Sequence, residues 1–151
     1  MPDPFVLEEA FNVLAGDLIG EGLYRQVFAC RIDPTLVIKV EQELGRSSPR
    51  FANTIEWDNW GNYLYEDDVK KWLAPCVMIS PNGRVLVQKR VEPIPPSQLP
   101  KKIPRFLTDI KKENFGYYEG RVVCCDYTML LTNTRRGVKN ARWNLGEQGY
   151  E

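Results

Sequence analysis

Three polar residues in the C-terminal half raise the question of chemistry. Asp109 and Asn114 lie within Leu107-Thr-Asp-Ile-Lys-Lys-Glu-Asn-Phe-Gly116, and Asp126 follows in Cys125-Asp-Tyr-Thr128. The order is an acid, an amide, one short hairpin and a second acid. Far upstream, Lys39 stands inside the β-branched run Leu36-Val-Ile-Lys-Val40, and Glu56 comes 17 residues after it. A lysine in such a strand points to water or needs a partner. The chain has no His. That removes imidazole general bases, Ser-His and Cys-His dyads, and most zinc enzyme sites. Cys30, Cys76, Cys124 and Cys125 form no C-x-x-C pair and sit in apolar runs. Buried free thiols are expected rather than disulfides or a metal site.

The elements that must position these residues can be read in order. Asp3-Pro4 is a helix start with Pro at the first helical position, and Phe5, Leu7, Phe11 and Leu14 then form an apolar face of a helix over 4–15 that Gly16 ends. Residues 17–31 read as strand, glycine turn, strand. Gly20 and Gly22 in that turn permit backbone N–H groups to approach a phosphate without a Cβ in the way. Asp33-Pro34 turns the chain into the strand of Lys39. Ser48 and Pro49 open a helix from about Phe51 to Trp60 or beyond. On it, Ala52, Ile55 and Trp60 share the inward side with Glu56. Asn53 and Asn59 are poorer partners for a lysine, since they carry no charge, and Asp58 lies on another face. A short helix is expected over 67–73, with acids at its start, then a β-hairpin through Pro81-Asn82-Gly83. The five prolines of residues 93–104 bar any long helix there. Residues 114–125 make a last hairpin that sets Asp126 at a strand end.

Taken singly, these features have ordinary explanations: a hairpin turn, an edge-strand lysine facing water, a solvated helix carboxylate. Together they carry a resemblance. Gly20-x-Gly22-x-x-Arg25-x-Val27 is similar to the protein-kinase glycine-rich loop, with Arg25 in place of its third glycine. Val37-Ile38-Lys39 resembles the family's V-A-I-K strand, and Glu56 its C-helix glutamate. Asp109-x-x-x-x-Asn114 and Asp126-Tyr127-Thr128 resemble the catalytic loop and the Asp-Phe-Gly triplet. Leu107-Thr108 replaces His-Arg. The resemblance spans roughly residues 16–130.

It implies an α+β fold: a protein-kinase-like N-lobe, with an antiparallel five-stranded sheet plus C-helix, and a strongly reduced C-lobe carrying the catalytic-loop hairpin. The chain then reads as a single kinase-like domain over 1–151. Residues 1–90 are the N-lobe with a leading helix, 91–132 the linker and minimal C-lobe, and 133–151 a basic, partly disordered tail. ATP and Mg²⁺ are the implied cofactors. Gly20, Gly22, Arg25, Val27, Lys39 and Glu56 would bind the nucleotide, with Glu56 orienting Lys39. Asn114 and Asp126 would hold the metal. Asp109 would accept the proton of an attacking hydroxyl, and Lys111 would steady the transferring phosphoryl group. At Arg25 the charge either meets a phosphate or blocks it.

Three function classes follow. The first is an ATP/Mg²⁺ phosphotransferase acting on a hydroxyl of a small molecule, a protein partner or itself. The second is a catalytically inactive, pseudokinase-like module that engages and inhibits another protein. So compact a chain suits an accessory protein that a bacteriophage directs at its host, a hypothesis from economy of size. The third is nucleic-acid binding through Lys101, Lys102, Arg105, Lys111, Lys112 and the Arg135–Arg142 cluster with Trp143. Lys+Arg and Asp+Glu both total 20, so this is the weakest of the three. A nucleotide and a protein are the expected partners. Nucleic acid and membrane are not, and a homo-oligomer stays open. No run approaches the length of a membrane span, so a cytoplasmic protein is expected, in the host cytoplasm if phage-encoded.

Overall fold

Asp3 starts the first helix: its Oδ1 accepts a hydrogen bond from Phe5 N at 2.8 Å, and Pro4 takes the first helical position. The computed structural model describes residues 2–42, 51–130 and 137–145. Helix α1 runs Pro4–Leu14 and passes without a linker into strand β1, Ala15–Glu21. Gly16 therefore does not end it. Ala15 is already extended and pairs with Cys30, while Arg31 N donates to Leu14 O at 2.8 Å, so sheet pairing takes over one residue earlier. The expected apolar face of α1 is not buried. Phe11 meets Phe28 edge-on with ring centroids 5.7 Å apart, whereas Phe5, Leu7 and Leu14 stay exposed.

The fold is α+β and includes a five-stranded antiparallel sheet. Its strands are β1, β2 (Arg25–Cys30), β3 (Leu36–Glu41), β4 (Cys76–Ile79) and β5 (Val85–Lys89), in the order β1-β2-β3-β5-β4. Val37, Ile38 and Lys39 are buried in succession, so central β3 is covered on both faces. The β4–β5 hairpin turns through Gly83 at φ 75°, where an added Cβ would strike Thr54 Oγ1. Only glycine suits that position.

Between β3 and β4 come helix α2, Ala52–Asn62, and the single turn α3, Asp67–Lys70. The expected Ser48-Pro49 start of α2 lies outside the described residues. Its inward side is Ala52, Asn53 and Glu56. Ile55, expected inward, is exposed, and Trp60 is half-buried. The helix turns its polar stripe to the sheet. The α3 turn stops short of the expected 67–73 span because Trp72 and Leu73 leave it for the Cys124 strand, with Cys124 N donating to Trp72 O at 2.7 Å.

The chain divides into two compact units: Met1–Asp58 with Pro75–Arg90, and Asn59–Ala74 with Val91–Glu151. The first holds the five-stranded sheet. Residues 59–74, assigned by sequence to the sheet-bearing lobe, group with the second unit. That unit contains two small antiparallel ladders, β6 (Lys102–Pro104) with β9 (Val138–Asn140) and β7 (Phe115–Tyr118) with β8 (Arg121–Cys124). Glu119 and Gly120 both have positive φ, 49° and 77°, the backbone of a tight primed hairpin turn. Gly116 is needed for a different reason: its Cβ would lie 2.6 Å from Val91 Cβ and 2.8 Å from Glu92 O. The proline-rich stretch forms no long helix, only a 3-10 turn over Pro96–Gln98 before β6. Ile94, Ile103, Leu107, Val123 and Tyr127 are buried in this unit. Among the described residues, no helix is long and apolar enough to cross a membrane.

Candidate functional site

In the first unit, strand register sets the geometry. Gly20 pairs with Val27, Val27 with Lys39, and Lys39 with Leu86, forming one lateral row across four strands. Directly opposed residues share a face. The same face carries Arg25 on β2 and Gln88 on β5, each two residues from its neighbour in the row. Three of the residues expected at one site thus lie side by side. No added Cβ at Gly20 or Gly22 would come nearer than 3.7 Å to anything, and neither has positive φ. Folding does not require glycine at either position.

Against this face, α2 presents Glu56. Its carboxylate is fully buried and meets Lys39 Nζ at 2.5 Å on Oε1 and Arg25 Nη2 at 2.9 Å on Oε2. Gln88 Nε2 donates to Oε1 at 3.0 Å. Burial pushes the Glu56 carboxyl up, but the Lys39 ammonium and Arg25 guanidinium outweigh burial and hold it below its ordinary value. Glu56 is therefore ionised at neutral pH. Lys39 is 4% exposed, an arrangement that a buried ammonium needs.

Arg25 is not turned outward. Its guanidinium lies on Glu56 and, through Nη1, within 3.3 Å of Asn53 Oδ1. The charge, which the sequence allows either to meet a phosphate or to block it, lies within this network. Asn53, set aside on sequence as uncharged, is a full member. Its side chain donates to Lys39 O at 3.1 Å, and its backbone N–H donates to Glu41 Oε1 at 2.8 Å. Asn53 and Glu56 are three residues apart on one helix face, which is the signal that could have found it.

In the second unit, the loop from Asp109 to Asn114 is folded back on itself. Asn114, 7% exposed, donates from Nδ2 to Asp109 O at 3.1 Å, and Cys125 N donates to Asn114 O at 2.7 Å. The backbone after β8 is thereby tied to the loop, which brings Asp126 into the same neighbourhood. The Asn114 Oδ1 accepts no hydrogen bond among the described residues. Asp109 and Lys111 side chains, each nearly half exposed, stand 3.6 Å apart. Tyr127 is fully buried and donates from its hydroxyl to Ala74 O at 2.7 Å, while its carbonyl accepts from Asn59 Nδ2 at 2.8 Å.

Part of the bracing of this loop comes from residues 137–145, within the span expected to be a tail. Lys139 Nζ donates to Leu107 O, and Thr108 Oγ1 donates to Met129 O. Residues 110–112 run beside Asn144, with Asn144 N donating to Ile110 O at 3.0 Å. Trp143 packs edge-on to Phe115 at 4.8 Å and donates to Pro100 O at 2.8 Å. Residues 137–145 are thus built into the unit, correcting their expected place in a loose basic tail. Arg105, Lys111, Lys139 and Trp143 all have structural partners, which weakens the expected nucleic-acid cluster. Arg135 and Arg136 lie outside the described residues. Trp143, a large apolar side chain among the basic residues, was the available hint. Cys30, Cys76 and Cys124 are buried free thiols, and Cys125 is half-buried.

Among the described residues, no three or more Cys, Asp or Glu side chains gather as a metal site. No protein-family model matches the chain, and no curated protein matches it.

Proposed function

We infer that the chain is a protein-kinase-like ATP-binding protein whose two units each carry one half of a phosphoryl-transfer apparatus. The observation that carries this reading is the buried Lys39–Glu56 pair, set in a sheet row with Gly20 and Val27. A buried glutamate on a helix holds the lysine in one place, which suits it to meet phosphate oxygens. The folded Asp109–Asn114 loop supports the other half. Asn114 Oδ1 and the Asp126 carboxylate would hold Mg²⁺; two protein oxygens suffice where phosphates and waters supply the rest. When bound, the ion neutralises charge on the phosphates. Asp109, exposed and beside Lys111, would accept a hydroxyl proton, and Lys111 would attract the transferring group.

Calorimetric titration with ATP, with and without Mg²⁺, tests this. The expected result is magnesium-dependent binding that Asp126→Ala abolishes in a folded variant. Lys39→Ala should abolish it too, with a loss of stability because it breaks the buried pair, so its fold is checked by circular dichroism. Unchanged affinity in both variants would overturn the site.

A second reading, a catalytically inactive module that acts by binding another protein, is favoured by Arg25. Its guanidinium shares Glu56 with Lys39 and stands where the related loop has glycine. Absence of ATP binding in the intact chain would select it.

A further inference from the structure

The N-terminal stretch carries an unusual pairing of apolar exposure and charge. Helix α1 buries no residue. Phe5, Val6, Val13 and Leu14 on it are exposed, as are Leu18 and Ile19 on β1. Phe5 is 77% exposed. Leu18 and Ile19 lie where the register of β1 against β2 shifts, and both side chains stay in water. That strand is an edge of the sheet, paired only with β2. Apolar side chains scattered over a surface need no explanation, but a run of them on one helix and the adjoining edge strand marks an interaction surface.

The charges on this surface say what fits it. Asp3, Glu8, Glu9, Asp17 and Glu21 are all exposed, and no Lys or Arg precedes Arg25. Among the described residues none of the five forms an ion pair, although Asp3 caps α1 and Glu21 accepts from Gln26 and Gln42. The rest of the chain carries all 20 Lys and Arg against the fifteen remaining acids, so the negative charge is local. Phe5, Glu9 and Val13 follow at four-residue spacing, which places a carboxylate within the apolar face itself. An anionic membrane surface would be repelled. A symmetric pairing of two copies would set these acids against themselves.

We propose that α1 and β1 form a docking surface for a protein partner presenting a basic amphipathic segment, with apolar side chains flanked by Lys or Arg. Eleven helical residues extend about 16 Å, room for roughly three turns of a partner helix. The surface adjoins the nucleotide site at Gly20 on β1, but the residues it rests on are not assigned to that site, so it does not depend on the nucleotide reading.

The test uses the full chain and a fluorescent synthetic helix of about 15 residues, with Leu on one face and Lys on the other. Matched peptides replace Leu by Ser or Lys by Glu. The Leu/Lys peptide should bind and weaken as salt rises from about 0.05 to 0.3 M. Both matched peptides should bind about tenfold more weakly or worse. Phe5→Asp with Val13→Asp should cost about tenfold in affinity, and so should Glu8→Lys with Glu9→Lys. These positions are exposed, and circular dichroism checks that each variant is folded. Failure of the Leu/Lys peptide to bind would overturn the proposal. So would equal binding by the Ser peptide or by all variants. Sedimentation showing self-association that the same variants abolish would also overturn it, because the surface would then belong to a second copy.

Discussion

The two units handle charge in opposite ways. In the first, Lys39, Arg25 and Glu56 are almost wholly buried and locked together at 2.5 and 2.9 Å. In the second, Asp109 and Lys111 carry the same signs at 3.6 Å, with both side chains nearly half in water. An ion pair out of water depends on every partner, because removing one leaves an uncompensated buried charge. A pair in water is screened and contributes little to stability. One half of the candidate apparatus is therefore part of the core. The other is held by backbone and amide contacts, and its acid can be altered at little cost.

The strongest way to break that contrast is Glu56→Gln. It removes the carboxylate that both buried cations share and should cost about 3–5 kcal/mol, read from urea unfolding at pH 7. The same substitution has a pH signature. The folded state holds Glu56 below its ordinary value of 4.5, so the unfolded chain binds a proton more readily. The pair's stabilisation is thus complete well above pH 4.5 and is lost as pH falls through the folded value. Wild type and variant should converge in acid. Parallel pH profiles would show that Glu56 does not anchor this network.

Gly116→Ala comes next in size. The new methyl group meets Val91 and the Glu92 carbonyl at distances that require backbone movement, about 2 kcal/mol by thermal unfolding. Gly20→Ala, with nothing nearer than 3.7 Å, should leave stability within about 0.5 kcal/mol. If the kinase-like reading holds, it should still weaken ATP binding. A stability loss at Gly20 matching that at Gly116 would remove the functional argument for that glycine.

Cys124→Ser is smaller again, at about 1 kcal/mol. The thiol is buried, but its Sγ lies 3.1 Å from Asp126 O, and a hydroxyl can keep that contact. Soluble yield and melting temperature should drop while ATP affinity holds. The smallest effect belongs to the exposed pair. Asp109→Asn and Lys111→Ala should each shift stability by less than about 0.5 kcal/mol. A shift as large as that of Glu56→Gln would erase the contrast between the units.

Much of the first unit was legible because its signals are local. β-Branched runs, glycine turns and a helix of fixed length made five strands and α2 readable. The resemblance to the kinase strand lysine and C-helix glutamate implied the Lys39–Glu56 pairing that the structure contains. Asn53 and Arg25 were misplaced because residue type alone does not show direction. An amide looked too weak to matter and the arginine's charge was set toward a phosphate, as contact or as block, whereas the register puts Arg25 on the face that α2 covers. The bracing of the Asp109 loop was illegible for a related reason. Lys139 and Asn144 lie some thirty positions from the backbone groups they hold, and a basic stretch gives no sign of where it returns.

The sequence by itself determined the kinds of group available. It excluded imidazole chemistry, put a lysine in a strand, a glutamate on a helix and an acid-amide pair in one loop, and left the N-terminal stretch acidic and apolar. Tertiary structure alone decided which of those groups became core and which stayed at the surface. Burial fixes a lysine and a glutamate against each other, and the cations beside Glu56 keep its carboxylate ionised. The same two signs at Asp109 and Lys111 remain in water, because the chain around them is secured from outside, by Asn114, Lys139 and Trp143.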